Sequence, residues 1–284
     1  MRRINGLKNI NKKKKDKKIM RIAVTTTREA DENLIIKAGS IGKELNIPYI
    51  NRGNLSIKKT LLKGEADYLL VVEKDKISIN SEDSTLFWHP NMSELKIKSI
   101  KQGNKEALTE AVNLTEGSSI LDCTLGLGGD SLVFAYVVGE HGIVIGTEVN
   151  KYIAYLTKKG LETYKDDNGI KPDYMNYIRV VNESYEKYLL KQHDNSFDVV
   201  YFDPMFKKPN KKSESINGFR DFADHSGVTK ETLKEALRVC RKRVVIKERY
   251  GENDLHKIGV EKFYGSRRKG SIIYGVIEKI KEDS

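Results

Sequence analysis

The stretch that decides the fold is ILDCTLGLGGDSLVFAYVVGEHGIVIGTE, residues 120–148. It begins with an apolar strand, turns through glycines, and continues into an apolar segment, 130–138, that is predicted to be a helix. The turn contains three glycines: Gly126, Gly128 and Gly129. Glycine allows a tight turn and a close approach of the backbone to a ligand. A second apolar run, 143–146, predicts a buried parallel strand that ends beside Glu148. The stretch therefore predicts a βαβ unit with a nucleotide-type pocket.

The residue types at this turn favour one of two ligands. A dinucleotide fingerprint needs a small third residue and places a pyrophosphate at the helix N-terminus. Here Ser131 takes the third small position and Asp130 begins the helix. Asp130 would repel a pyrophosphate, whereas Asp122 and Asp130 would attract the sulfonium and ammonium groups of S-adenosylmethionine. Glu148 is predicted to accept hydrogen bonds from a ribose diol. A glycine turn without a ligand is the alternative for this stretch alone.

Composition excludes several classes of protein. The chain has 284 residues, of which 38% are hydrophobic, enough for a real core in one large or two modest domains. The sequence contains no apolar run near the roughly 20 residues of a membrane span and no apolar signal core. We therefore expect a cytoplasmic protein with no membrane partner. Cys123 and Cys240 have no metal-ligand spacing, so we expect reduced packing residues and no metal.

Most of the net charge of +11 lies at the N-terminus, where residues 1–19 carry nine lysines and arginines against one aspartate. Such a run is typical of a solvated, disordered tail, and the alternative is a non-specific arm that contacts RNA phosphate. Met20 directly precedes the first predicted strand, so the tail could also be an upstream extension of the reading frame.

Residues 20–103 are predicted to form a small N-terminal α/β subdomain. The apolar patterns predict helices at 29–45 and 57–62 and strands at 21–27, 48–50, 68–73, 76–80 and 85–88. The subdomain ends in FWHPNM, residues 87–92, which contains the single tryptophan. Clustered aromatic residues more often pack than catalyse, so a hydrophobic junction between domains is favoured. The alternative is a substrate-facing lip whose rings stack on an exposed base.

Residues 104–284 are predicted to form the second domain, which begins with a helix at 104–114. After Glu148 we expect a helix at 152–164 and a third parallel strand at 177–181. Ser184 and Tyr185 follow that strand at its carboxyl end, which faces the ligand crevice. Either residue could contact an adenine, and a plain helix cap by Ser184 is an equal alternative.

The second informative stretch is DVVYFDPMF, residues 198–206, a buried strand with a polar exit. It resembles the D/N-P-P-Y/F element of methyltransferases that modify exocyclic amines of bases. An aryl amine is a poor nucleophile because its lone pair is delocalised into the ring. The Asp203 carboxylate and the Pro204 carbonyl can each accept one N–H and so direct the lone pair at a methyl group. Phe206 is predicted to stack on the base. An ordinary turn after a strand is the alternative.

The C-terminal region is predicted to complete the sheet with a helix at 228–239, a strand at 243–247 and an antiparallel hairpin of 261–264 and 271–278. Basic residues there, or in the loop 207–220, are predicted to contact RNA phosphate: Lys207, Lys208, Lys211, Lys212, Lys247, Arg267 and Arg268. For Lys247, at the carboxyl end of its strand, an ion pair with an acid is the slightly favoured alternative.

Taken together, ILDCTLGLGGD, YFDPMF and RVVIKER resemble the ribosomal RNA methyltransferase J (RsmJ) family from about Asn104 to the C-terminus. These class I enzymes modify N2 of a guanine in small-subunit ribosomal RNA. The resemblance implies an α/β, Rossmann-like sheet that is mostly parallel, with a C-terminal antiparallel hairpin. It also implies cofactor-binding positions, which by match are Gly129, Asp130, Glu148, Val149, Ser184, Tyr185 and Asp203.

The sequence also departs from that family. The family has alanine where Cys123 stands, arginine in its best-known members where Gly129 stands, and proline where Lys207 stands. Residues 21–103 resemble only a less-studied Gram-positive branch. The prediction is an S-adenosylmethionine-dependent methyltransferase acting on a guanine amino group of ribosomal RNA. The alternatives are an amine methylase acting on DNA adenine or a protein side chain, and a non-catalytic RNA-binding protein that keeps the fold.

Overall fold

The computed structural model describes residues 20–90, 92–204, 222, 227–252 and 254–280. The predicted tail, residues 1–19, lies outside this part of the chain. Among the described residues, no helix has both the length and the apolar character needed to cross a membrane. The structure contains a four-stranded sheet near the N-terminus and a seven-stranded sheet that follows it.

The N-terminal sheet has the strand order β1-β2-β3-β4, in which β1 and β2 are parallel and the other pairs are antiparallel. Its strands are β1 (Ile22–Thr26), β2 (Tyr68–Val72), β3 (Ile77–Asn80) and β4 (Thr85–Phe87). The helices of this region are α1 (Glu32–Leu45) and α2 (Ile57–Lys63). Helix α1 begins later than predicted because Asp31 caps it, accepting a hydrogen bond from the Leu34 backbone N–H at 2.8 Å. The predicted strand at 48–50 is an isolated bridge between Tyr49 and Val24.

The larger sheet has the strand order β10-β11-β9-β8-β5-β6-β7. Its strands are β5 (Ser119–Asp122), β6 (Ile143–Thr147), β7 (Ile178–Val181), β8 (Phe197–Phe202), β9 (Cys240–Arg249), β10 (Lys262–Gly265) and β11 (Ile272–Glu278). Strands β5 to β9 are mutually parallel, whereas β10 and β11 form the antiparallel edge. The predicted α/β fold, a mostly parallel Rossmann-like sheet with an antiparallel C-terminal hairpin, is therefore confirmed.

Helices cover both faces of this sheet. They are α3 (Met92–Lys101), α4 (Ala107–Val112), α5 (Gly129–Val138), α6 (Lys151–Thr163), α7 (Tyr185–Leu190), α8 (Lys230–Val239) and α9 (Asp254–Lys257), with a 3₁₀ turn at Asp173–Tyr177. Helix α3 was not predicted, and two other predictions were wrong in extent. The helix expected at 104–114 is shorter because Asn113 adopts a left-handed conformation, with φ 48°, at its C-terminus. Strand β9 is longer than the predicted 243–247 because it pairs with β11 as far as Arg249.

The FWHPNM stretch lies where the two sheets meet, and Trp88 is at its centre. Trp88 is 7% exposed, and its indole N–H donates to the Leu127 carbonyl at 2.8 Å. A Cβ atom at Gly160 of α6 would lie 2.1 Å from the indole ring, so only glycine leaves room for the tryptophan. Tyr164 packs edge-on against the indole, with ring centroids 5.6 Å apart. Trp88 therefore forms a hydrophobic junction, the interpretation that the sequence favoured, whereas Phe87 and Met92 of the same stretch are exposed.

Candidate active site

The predicted site residues meet at one edge of the large sheet. Strand β5 pairs in parallel with β6 and β8, and Asp122 lies opposite Gly146 on one side and Tyr201 on the other. The residues that follow these strands, including Glu148 and Asp203, therefore emerge beside the glycine turn. This is the carboxyl edge, where open parallel sheets bind their ligands.

The glycine turn is held in a conformation that favours glycine. Gly126 and Gly128 have φ angles of 53° and 77°, in the left-handed region that other residues rarely adopt. Thr157 of α6 fixes the turn by donating from its hydroxyl to the Gly126 carbonyl at 2.7 Å. Asp122, just before the turn, accepts from the Thr124 N–H at 3.0 Å and the Ser131 hydroxyl at 2.6 Å. Burial raises the pKa of Asp122 to about 7.

Glu148 lies at the end of β6 with its carboxylate turned back to the glycine turn. One carboxylate oxygen accepts from the Gly126 N–H at 3.1 Å, and the other accepts from the Asn150 N–H at 2.7 Å. These two backbone hydrogen bonds orient the carboxylate at the edge. The next residue, Val149, is 48% exposed at the same edge. The edge thus combines an oriented acid with an accessible apolar side chain.

Ser184 and Tyr185 follow β7 and begin α7. Ser184 is the N-cap, and its hydroxyl accepts from the Lys187 N–H at 3.5 Å, so the capping role is present. Tyr185 is 6% exposed and packs edge-on against Phe202, with centroids 5.5 Å apart. Its ring belongs to the core of the sheet.

A chain of four charged side chains links helix α3 to the end of β8. Lys96 contacts Asp130 at 2.9 Å, Lys247 contacts Asp130 at 2.8 Å, and Lys247 also contacts Asp203 at 2.7 Å. The Tyr201 hydroxyl donates to Asp130 at 2.7 Å. Of the two alternatives for Lys247, the structure contains the ion pair. The Asp130 carboxylate is only 8% exposed, and the two lysines offset the attraction for a cationic cofactor on which its prediction rested.

These contacts shift the pKa values of Asp130, Asp203 and Lys247. Burial acts to raise the pKa of Asp130, but Lys247 and Lys96 outweigh it and hold that pKa well below its usual range. Burial raises the pKa of Asp203, and the neighbouring Asp130 carboxylate adds to the effect, although Lys247 opposes it. Burial would lower the pKa of Lys247, but Asp130 and Asp203 raise it. Lys247 therefore stays protonated between two acids of different pKa.

Asp203 is the most accessible member of this chain. Its side chain is 31% exposed, against 28% for Lys96, 15% for Lys247 and 8% for Asp130. Its backbone N–H donates to the Thr124 hydroxyl, which ties the Asp203-Pro204 turn to the glycine turn. The carboxylate is thus oriented by Lys247 on one side and open to solvent on another.

The other predicted residues are not part of this chain of charges. Arg267 and Arg268 are exposed in the turn between β10 and β11, beside the carboxyl end of β9, where Ile272 pairs with Arg249. Five predicted residues fall outside the described part of the chain: Phe206, Lys207, Lys208, Lys211 and Lys212. Within the described part, no three histidine, cysteine, aspartate or glutamate side chains cluster as metal ligands. Cys123 and Cys240 are buried free thiols, as predicted.

Sequence reasoning missed Lys96, Thr124 and Tyr201. Lys96 lies on α3, a helix whose pattern was not recognised. Thr124 stands between two predicted site residues in the turn, and its hydroxyl was overlooked. Tyr201 was assigned to the buried strand, which is correct for its ring but omits the hydroxyl that reaches Asp130.

Comparison with known proteins places this chain in a family. The model of a family described as "Putative SAM-dependent methyltransferase" matches residues 54–269. The chain is 36% identical to YpiP, an uncharacterized protein of Bacillus subtilis, over 90% of this chain and 98% of the relative. It is 26% identical to ribosomal RNA small subunit methyltransferase J of Desulfotalea psychrophila, over 78% of this chain and 84% of the relative.

Two further comparisons agree. Ribosomal RNA small subunit methyltransferase J of Francisella tularensis subsp. novicida is 30% identical over 66% of this chain and 84% of its own length. A crystal structure of a SAM-dependent methyltransferase from Neisseria gonorrhoeae superposes with a TM-score of 0.60, at 18% identity, over 92% of this chain and 97% of the other. The last comparison supports the fold alone. Because the family model covers most of the chain and YpiP matches 90% of it, while the methyltransferase J relatives match 66–78%, the chain belongs to the RsmJ-like family of class I SAM-dependent methyltransferases, with S-adenosylmethionine as cofactor.

Proposed function

We propose that this methyltransferase transfers a methyl group to the exocyclic N2 of a guanine in small-subunit ribosomal RNA, in the cytoplasm. The observation that carries the proposal is the Asp203-Pro204 turn, whose carboxylate is oriented by Lys247 beside the glycine turn. Two similar proteins bear the name ribosomal RNA small subunit methyltransferase J, which supports RNA as the substrate class.

The residues at the carboxyl edge fit S-adenosylmethionine. Glu148 presents an oriented carboxylate suited to a ribose diol, and Val149 offers an exposed apolar surface for a base. The left-handed glycines of the turn allow the backbone to approach the ligand closely. Ser184 and Tyr185 begin the helix that is proposed to lie at the adenine side, and Asp122 holds the turn by accepting from the Thr124 N–H and the Ser131 hydroxyl. S-adenosylmethionine supplies the electrophilic methyl group.

The chain's own residues prepare the amine for attack. The Asp203 carboxylate and the Pro204 carbonyl each accept one N–H of the amino group and direct its lone pair out of conjugation with the ring. With the cofactor bound, the methyl–sulfur bond would break as the new C–N bond forms, which would leave the neutral thioether. The nitrogen loses its proton to Asp203 or to the water that reaches this partly exposed carboxylate. Lys247 orients Asp203 and opposes the rise in the pKa of that carboxyl, and Asp130 holds Lys247 in place.

The RNA backbone is proposed to lie over the basic residues around this edge. Arg267 and Arg268 are exposed in the β10–β11 turn, and phosphate contacts of this kind position a nucleic acid without reading its sequence. The lysines of the 207–220 loop follow Asp203 directly in the sequence and are proposed to do the same.

Methyl transfer to defined acceptors tests this proposal. Purified protein is incubated with radiolabelled S-adenosylmethionine and either small ribosomal subunits, free ribosomal RNA, duplex DNA or total protein. The label is then mapped by mass spectrometry of nucleosides and peptides. We expect N2-methylguanosine in ribosomal RNA at one position. Label in N6-methyladenine of DNA or in a protein side chain would replace the proposal by one of the alternatives, and cofactor binding without transfer to any acceptor would favour a non-catalytic role.

A further inference from the structure

A cleft at the junction of the two sheets is separate from the cofactor edge. It has a volume of about 830 Å³ and lies between α1, the β2–β4 region of the N-terminal sheet, and α6. This volume falls within the ~300–1,000 Å³ range of small-molecule sites. Helix α6 begins at the cofactor edge, beside Glu148, and its residues from Tyr155 onward line the cleft. At about 1.5 Å per residue, the cleft begins within ~10 Å of that edge along the helix.

The lining of the cleft is basic. Five lysines and three acids line it. Lys159 pairs with Glu162 at 2.8 Å. By contrast, Lys37, Lys74 and Lys165 are exposed and form no ion pair among the described residues. These three ammonium groups, named here the lysine triad, suit a polyanion, since the lysines of the lining outnumber its acids.

Aromatic surface accompanies this charge. Phe87, on the edge strand β4, is 43% exposed, although it is a large apolar residue, and it lines the cleft. The Lys76 ammonium lies 5.2 Å from the centre of its ring. An exposed ring with lysines around it is the arrangement that binds single-stranded nucleic acid, because bases stack on the ring while lysines contact the phosphates.

The cleft is also connected to the cofactor turn. Trp88 lines the cleft, and its N–H donates to the Leu127 carbonyl between the two left-handed glycines. From the same segment, the Ser93 hydroxyl donates to the Gly129 carbonyl at 2.7 Å, and Lys96 pairs with Asp130 at 2.9 Å. Three contacts from residues 88–96 therefore brace the turn, and a ligand against Trp88 touches that brace directly.

We propose that this cleft binds an unpaired segment of the RNA substrate, with a base against Phe87 and the phosphates on the lysine triad. The proposal rests on RNA being the substrate, as argued above, and adds a second contact site on the side of α6. The bound segment positions the target nucleotide at Asp203 and contacts the cofactor turn through Trp88.

Binding of an oligouridylate of about 10 nucleotides, within the ~4–16 nucleotides typical of single-strand sites, tests the proposal. Affinity is measured by anisotropy of a labelled oligonucleotide over a range of salt concentrations. Replacing the lysine triad by Lys37→Gln, Lys74→Gln and Lys165→Gln is expected to reduce the slope of log affinity against log salt by about 2, at ~0.7 per single-strand phosphate contact. The matched control replaces three exposed lysines outside the cleft by glutamine and leaves the slope nearly unchanged: Lys98, Lys187 and Lys234.

The ring and the brace are tested separately. Phe87→Ala is expected to weaken binding about 5- to 100-fold, the effect of one base stack, whereas Phe87→Tyr keeps a ring and restores it. Because Trp88 is the single tryptophan, its fluorescence reports occupancy of the cleft, and we expect its emission to change on RNA binding. Equal affinity of the triad variant and its lysine control would overturn the proposal. So would an absence of oligonucleotide binding, or equal competition by polyglutamate.

These outcomes separate the cleft from the proposed function. If wild-type protein methylates ribosomal RNA while the triad and Phe87 variants bind RNA like their controls, the cleft proposal fails and the function stands. If the oligonucleotide binds in the cleft but no RNA is methylated, the function proposal fails and the cleft stands.

Discussion

One aspartate lies near each end of strand β8, and the two carboxylates have different contacts. At the amino end, Asp198 accepts from the Ser119 backbone N–H at 2.8 Å and from the Ser119 hydroxyl at 3.1 Å. Arg241 and Lys242 add ion pairs at 3.1 and 3.2 Å. Burial acts to raise the pKa of Asp198, but its hydrogen bonds with Arg241, Ser119 and Lys242 hold that pKa well below the usual range. This carboxylate ties three strands together.

Asp203, just beyond the other end of the strand, has a different environment. A single lysine, Lys247, contacts its carboxylate among the described residues, and that lysine is shared with Asp130. Burial and the second acid raise the pKa of Asp203. The comparison shows how one residue type serves structure or chemistry. A carboxylate surrounded by backbone N–H and guanidinium groups is satisfied, whereas one with a single shared cation keeps the capacity to accept a substrate N–H.

The largest expected effect comes from removing the accessible acid. Asp203→Ala should lower the single-turnover rate of methyl transfer by a factor of about 10² to 10³ or more, since one group that positions the reacting atoms is commonly worth this much. Its thermal stability and cofactor affinity should change far less. Transfer is measured with saturating RNA and cofactor, which isolates the chemical step from binding. A variant that transfers methyl at near wild-type rate would remove Asp203 from the mechanism.

The matched change at the other end of the strand should lower stability and leave the rate of methyl transfer unchanged. Asp198→Ala should reduce the free energy of unfolding by about 2–3 kcal/mol, because it removes several hydrogen bonds to a charged acceptor. The rate of transfer by the folded fraction should stay near that of wild type. Urea unfolding, followed by circular dichroism, measures the change. If this variant lost activity without losing stability, the distinction between the two acids would be wrong.

The stabilisation by Asp198 should also depend on pH. Because its folded pKa lies below the unfolded value, its contribution is complete above about pH 4–5 and declines as the pH falls and the folded carboxylate takes up a proton. Below that range, wild-type protein and Asp198→Ala should therefore converge in stability. A constant difference between them down to low pH would mean that packing, and not charge, is responsible.

A third acid sharpens the comparison at the functional edge. Glu148 resembles Asp198 in accepting backbone N–H bonds, but it lies at the carboxyl edge and is proposed to bind the ribose of the cofactor. Glu148→Ala should weaken binding of S-adenosylmethionine by about 1.5–3 kcal/mol, the value of a charged hydrogen-bonding group. Calorimetric titration measures the dissociation constant, and Asp198→Ala serves as the control. An unchanged dissociation constant would place the ribose elsewhere.

Much of the site followed from sequence because its determinants are local. The glycine turn, Glu148 and Asp203 each follow an apolar strand, and the carboxyl ends of parallel strands must meet at one edge. An ion pair of Lys247 with an acid was the slightly favoured alternative, but its two partners were not identified and Lys96 was missed. Lys96 reaches Asp130 from 34 positions away, and Lys247 reaches Asp203 from 44 positions away. Such pairs depend on tertiary packing, which no short pattern encodes.

The same limit applies to Asp130. Its position at the start of α5 predicted a carboxylate that attracts the cationic groups of S-adenosylmethionine. The folded chain brings two lysines and a tyrosine hydroxyl to this carboxylate. The Trp88 junction, in contrast, was predicted correctly, since a cluster of aromatic residues between two domains favours burial whatever its partners are.

The smallest expected effect comes from removing the charge of Lys247, the lysine that distinguishes the environment of Asp203 from that of Asp198. Lys247→Met keeps the length and apolar stem of a side chain that is 15% exposed and removes its positive charge. The charged and titratable groups around Asp203 are then Asp130, Asp122, Lys96, Tyr201 and, beside Lys247, Tyr274. Without Lys247, the pKa of Asp203 rises further, because Lys247 is the larger of the two lysine charges that lower it and Asp130 continues to raise it.

The proposed transfer requires the ionised Asp203 carboxylate. The acidic limb of the pH–rate profile should therefore move to higher pH in Lys247→Met. We expect a shift of about 1 unit, the lower end of the effect of one close opposite charge on a pKa. The rate should recover as the pH rises, which a merely structural loss would not do. Lys96→Met is the control, because it acts on Asp130, and its limb should move less. The pKa of Asp122 is about 7, so Asp122→Asn shows whether that carboxyl contributes to the limb. If Lys247→Met lowers the rate equally at every pH, Lys247 serves packing at this edge, and the contrast between the two ends of β8 does not rest on its charge.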